Sequence, residues 1–116
     1  MSRYYTIDED HVVSGPFPFE GWIEWAKRVE NLLEFERVCR VGRNQIDSDC
    51  YVSTIFLRGI DHSFLDQDRP DHMPLLFETM IFGGPHDREL WRYATWDEAA
   101  LGHQAAVALA LGEPVT

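Results

Sequence analysis

The order of hydrophobic periodicities along the chain predicts an α+β domain, a small antiparallel sheet of about four to six strands with two helices packed on one face. Three observations carry that reading. Alternating or wholly apolar runs occur at residues 3–7, 11–13, 37–41, 51–58, 74–83 and 89–93, which is strand patterning. Only two stretches, residues 20–35 and 95–110, carry helical spacing. Both helices lie outside the runs of consecutive strands instead of alternating with single strands, so hairpins are expected and βαβ units are not. With 116 residues, 45% hydrophobic and 13% aromatic, residues 1–116 hold enough apolar material for one compact domain.

In chain order, the β-branched and aromatic residues Tyr4, Tyr5, Thr6 and Ile7 lead into the acidic turn signal Asp8, Glu9, Asp10, and Val12 and Val13 complete an N-terminal hairpin. Gly15, Pro16 and Pro18 then break regular structure, with Phe17 and Phe19 expected to dock on the body of the domain. Between Glu20 and Phe35 the apolar residues Trp22, Trp25, Ala26, Val29, Leu32 and Leu33 form one stripe of an amphipathic helix. Arg37 to Val41 alternates like a half-buried strand, and residues 44–49 read as a polar hairpin loop. The central pair of strands, 51–58 and 74–83, is apolar on both faces, which is expected of a sheet covered twice. Two helices cover one face, so the other predicts a homodimer formed through the sheet. Thr95 and Glu98 match a capping box ahead of Ala99, Ala100, His103, Ala106, Val107 and Ala110, and Gly112 supplies the stop.

Ten Lys and Arg against twenty Asp and Glu leave a formal charge of −10, which argues against nucleic acid as a direct ligand and suits a protein partner with a basic surface. The expected contact surface is acidic, formed by Asp8, Glu9 and Asp10 in the first turn and Asp66, Asp68 and Asp71 in the loop between the central strands. Cys39 and Cys50 are too few for a disulfide scaffold, and no secretory leader opens the chain, so a reducing cytoplasm is expected. No apolar run approaches the roughly 20 residues of a membrane-spanning helix.

Chemistry would have to come from Asp61, His62, Glu78 and His103. Glu78 is a carboxylate inside an apolar strand, and His103 lies on the apolar stripe of the last helix. Converging, these groups would suffice for acid–base work or a divalent metal. No H-x-x-x-H, H-E-x-x-H or paired-cysteine spacing supports a metal, and no cofactor motif is present. The competing expectation is a buried hydrogen-bonded cluster in which Glu78 pairs with Arg58 or Arg92 and His103 satisfies a loop carbonyl. His72 and His86 stand beside aspartates in loops and are expected to be solvated. Arg37, Arg40 and Arg43 are expected to pair internally with Glu34, Glu36, Asp47 and Asp49.

The succession Val52-Ser-Thr-Ile-Phe-Leu57, Asp61-His62, the run from Pro74 to Gly84, Arg92-Tyr93, Thr95 and Gly102-His103 resembles a group of small uncharacterised proteins of tailed bacteriophages and prophages. The resemblance covers about the C-terminal two thirds and extends to Tyr4-Tyr5 and Trp25-Ala26, while residues 15–19 and 65–73 are extended relative to the group. It implies a phage origin and the cytoplasm of the infected host cell, and it brings no assigned reaction. The expected function is therefore a small acidic accessory protein that binds a host protein, for instance as an inhibitor of antiviral defence or of nucleic-acid-handling machinery. The alternatives are a small metal-dependent or acid–base enzyme or small-molecule binder using the His/Asp/Glu set, and a structural assembly factor.

Overall fold

The computed structural model describes residues 4–61 and 74–112. The chain is α+β and divides into two compact units, residues 1–40 with 56–76 and residues 41–55 with 77–116. His62, Asp66, Asp68, Asp71 and His72 lie outside the described residues.

The first unit opens with the predicted hairpin, β1 (Tyr4–Ile7) and β2 (Val13–Phe17), paired antiparallel with Ile7 opposite Val13 and Thr6 opposite Ser14. Its second strand runs on through Gly15 and Pro16, where the sequence predicts a break. The helix expected across residues 20–35 is two helices, α1 (Phe19–Arg28) and α2 (Leu32–Val38). Asn31 causes the division: its side-chain oxygen accepts from the backbone N–H groups of Leu33 and Glu34, so it caps a new helix inside the apolar stripe. Trp22, Trp25 and Val29 are buried as the period predicts, but Leu32 and Leu33 fall after the break and are 69% and 79% exposed. Because α2 continues through Val38, the strand predicted from residue 37 begins only at Arg40.

Helix α1 packs on β1 and β2. Both its tryptophans bury their rings and satisfy their only polar atom: Trp25 Nε1 donates to the Ile7 carbonyl at 2.9 Å and Trp22 Nε1 to the Arg58 carbonyl at 3.0 Å. Trp25 meets Phe56 edge to face, and Tyr4 packs on Phe19 and Trp22.

The second unit is built on a four-stranded antiparallel sheet in the order β3 (Arg40–Asp47), β4 (Cys50–Phe56), β5 (Phe77–Phe82), β6 (Leu90–Tyr93), of which only the terminal residues Arg40 and Phe56 belong to the first unit. The central strands alternate strictly. Cys50, Val52, Thr54, Phe77, Thr79 and Ile81 are buried, while Tyr51, Ser53, Ile55, Glu78, Met80 and Phe82 are half-buried. Helix α3 (Trp96–Ala110) packs on β5 and β6. Its alanines allow a close approach, so that Ala106 joins Cys50, Val52 and Ile81 in the core. The predicted cap is present: the Thr95 hydroxyl accepts from the Glu98 N–H and donates to the Glu98 carboxylate, both at 3.1 Å. The glutamate thus returns to the threonine hydroxyl.

Among the described residues no helix is long and apolar enough to cross a membrane.

Candidate functional site

The predicted residue His103 organises a polar cluster within the second unit. Strand alternation puts Thr54 of β4 and Thr79 of β5 side by side on the covered face, where their hydroxyls lie 2.5 Å apart. His103 projects from α3 onto this pair, with Nδ1 2.7 Å from Thr54 Oγ1. Its Nε2 lies 2.7 Å from Asn44 Oδ1 on β3. The Tyr93 phenol of β6 is hydrogen-bonded to Thr79 at the other end. One polar line therefore crosses all four strands beneath α3. Burial pushes the Tyr93 phenol above its ordinary pKa, and the Thr79 hydrogen bond opposes that shift in part.

Two glycines make room for this line. A Cβ on Gly42 would come within 2.7 Å of the His103 ring, and a Cβ on Gly102 within 2.1 Å of the Tyr93 hydroxyl. The reason for glycine at both places is space, since neither has a positive φ.

The proton order along the line follows from the acceptor at its end. With Nε2–H donating to Asn44 Oδ1, a neutral His103 ring accepts at Nδ1 from the Thr54 hydroxyl, which in turn accepts from Thr79. Such an ordered line specifies how α3 seats on the sheet. It does not present a reacting group: Thr54 and Thr79 are 0% exposed and His103 7%, so a substrate has no access to the threonines. Sequence reasoning singled out His103 and missed Asn44, Thr54, Thr79 and Tyr93. The available signal was two threonines at buried-parity positions of strands otherwise apolar on that side.

Glu78 faces away from this cluster. It neighbours Thr79 and therefore points to the opposite side of β5, where Arg92, directly across on β6, donates to it at 3.0 Å. The cross-strand partner expected as one possibility is thus the one observed. The same side carries Tyr51 stacked on Phe82, with ring centroids 4.7 Å apart, and the Arg43 guanidinium 4.4 Å from the Tyr51 centroid. Of the three arginines expected to pair internally, Arg43 instead covers this ring, while Arg37 and Arg40 pair as expected with Glu34 and Glu36. His86, expected to be solvated, hydrogen-bonds Glu89. Asp61, in the first unit, is 7% exposed and accepts from the Leu75 N–H at 3.1 Å. Among the described residues no group of three His, Cys, Asp or Glu side chains is placed to hold a metal ion.

The acidic turn between β1 and β2 is a built structure. Asp8 Oδ1 accepts from the N–H groups of Asp10 at 2.9 Å and Val12 at 3.0 Å, closing an Asx turn. Glu9 takes a 2.6 Å bond from Arg37, which also grips both oxygens of Glu34 at 2.7 and 2.8 Å. Hydrogen bonding to Glu34, and then to Glu9, raises the Arg37 pKa above its ordinary value. Asp10 is exposed and has no side-chain partner among the described residues. Of the three predicted contact residues in this turn, one shapes it, one is neutralised and one projects freely. Comparison with known proteins finds no matching family model, no matching curated protein and no matching solved structure.

Proposed function

We propose that the protein is a non-enzymatic binding module that engages a protein partner through its acidic surface, with the 8–10 turn as one contact. The observation that supports this is the use of Asp8: a carboxylate committed to the backbone fixes an exposed turn from which Asp10 projects unpaired. An excess of ten acidic charges adds long-range attraction for a basic partner, which favours fast, salt-sensitive association. The loop carboxylates Asp66, Asp68 and Asp71 are further contacts in this proposal. The resemblance to phage and prophage proteins makes the partner a host protein in the cytoplasm, of the antiviral-defence or nucleic-acid-handling kind. The sheet side carrying Tyr51, Phe82 and the Glu78–Arg92 pair is the surface through which a homodimer would form. The enzyme alternative draws on Asp61, His62, Glu78 and His103, and of these Glu78 and His103 face opposite sides of the sheet.

Affinity capture from host lysate at low and high salt tests the proposal, with Asp10→Lys and the triple reversal of Asp66, Asp68 and Asp71 compared with the unmodified protein. The expected result is a basic host protein retained at low salt, released at high salt and lost with the reversed charges. Retention that ignores both salt and charge reversal sinks the acidic-surface reading.

A further inference from the structure

The first unit contains a cavity of about 110 Å³ that the acidic-surface reading does not use. Its walls are the rings of Trp22, Trp25 and Phe35 with Val29. Because both indole N–H groups are spent on the Ile7 and Arg58 carbonyls, the tryptophans offer the cavity carbon only. Cys39 also lines it and is 0% exposed, its thiol pushed up to about 12 by burial against the opposing charge of Arg58. A thiol so strongly neutral is neither a nucleophile nor a metal ligand, so the cavity suits non-covalent binding.

Two opposite charges complete the lining, Glu30 and Arg58. Both are exposed, and neither has an ion-pair partner among the described residues. Arg58 is held in an unusual way. Its φ is +58°, a left-handed conformation disfavoured for a long side chain. Two contacts hold it there: the Trp22 indole on its carbonyl and the adjacent Gly59, whose N-terminal neighbour strand approaches so closely that a Cβ would lie 1.7 Å from the Tyr5 carbonyl oxygen. An arginine at a strained backbone position in the lining of an apolar hollow is the kind of outlier found at ligand clamps.

The exposed pair Glu30 and Arg58 matches a zwitterion, and the apolar hollow that both line matches hydrocarbon. An apolar cavity of about 150 Å³ accommodates benzene, so this smaller one suits a branched chain of roughly three or four carbons. We propose that the cavity binds a free amino acid with a branched aliphatic side chain, the chain among Trp22, Trp25, Val29 and Phe35, the carboxylate on Arg58 and the ammonium on Glu30. The site is independent of the acidic surface and of any partner protein.

Titration of the full chain with valine, leucine and isoleucine, followed by tryptophan fluorescence and calorimetry, provides the test. Saturable binding is expected. Leucinamide and 4-methylpentanoate, which each lack one charge, are expected to bind at least about tenfold more weakly, as single charge-assisted hydrogen bonds imply. Arg58→Asn, which tolerates the left-handed backbone, and Glu30→Gln are expected to weaken leucine by a similar factor without lowering the thermal midpoint. Ala26 also lines the hollow, and Ala26→Leu, which fills it, is expected to abolish binding. The proposal is overturned if none of the three amino acids binds, if the one-charge analogues bind as tightly as leucine, or if Arg58→Asn and Glu30→Gln bind it unchanged.

Discussion

The two helical stripes of this chain began with the same kind of signal and ended differently. Residues 95–110 present an apolar period behind a capping threonine, and the period runs unbroken through α3, burying Ala99, His103 and Ala106. Residues 20–35 present an equally regular period, but the capping residue lies inside it. Asn31 starts a second helix, the phase of the stripe is lost, and the last two apolar residues of the period face solvent. A capping side chain satisfies two backbone N–H groups at once. Where it falls within a stripe, that local gain competes directly with burial of the residues beyond it.

The contrast extends to what each region does with close approach. Beneath α3 the fit is tight enough that Gly102 leaves no room for a methyl group over Tyr93. In an exposed helix Gly→Ala stabilises by about 1 kcal/mol through backbone entropy. Here Gly102→Ala is expected to destabilise by about 2 kcal/mol net, because overpacking exceeds the helix-propensity gain. Chemical denaturation measures it, and the Tyr93→Leu background should remove the penalty. A neutral or stabilised Gly102→Ala would show that α3 rides more loosely on the sheet than the tight contact with Tyr93 implies.

Much of the fold was legible in the sequence because its signals were local. The first hairpin, the alternation of the central strands and the Thr95 cap all depend on residues within a few positions of one another. The candidate site was legible only in part. His103 stood out as a polar residue on an apolar stripe, yet its partners Asn44, Thr54 and Thr79 lie 24 to 59 residues away in the sequence and carry no mark of their pairing. Glu78 stood out for the same reason and found its arginine by strand register, which the sequence narrowed to two possibilities without choosing. Nothing in the sequence marked Arg58 as a lining residue of the cavity, and its left-handed backbone is one that a long side chain rarely adopts.

The two caps give a direct measure of the contrast. Asn31→Ala and Thr95→Ala remove the same kind of backbone partner, and each is expected to cost about 1 kcal/mol in thermal or denaturant unfolding. If Asn31→Ala were neutral while Thr95→Ala cost the full amount, the break between α1 and α2 would owe nothing to its cap. Leucine substitution probes the far side of that break with a smaller effect. Val29→Ser, before the break, removes a buried side chain and is expected to destabilise strongly. Leu33→Ser, four residues on and in phase with Val29 in a continuous helix, is 79% exposed and is expected to change stability by no more than about 0.5 kcal/mol. A helix that ran straight through Asn31 would keep Leu33 on the buried stripe and make the two substitutions cost alike. Equal costs would therefore restore the single helix that the period alone predicts, and unequal costs place a break in the stripe between Val29 and Leu33.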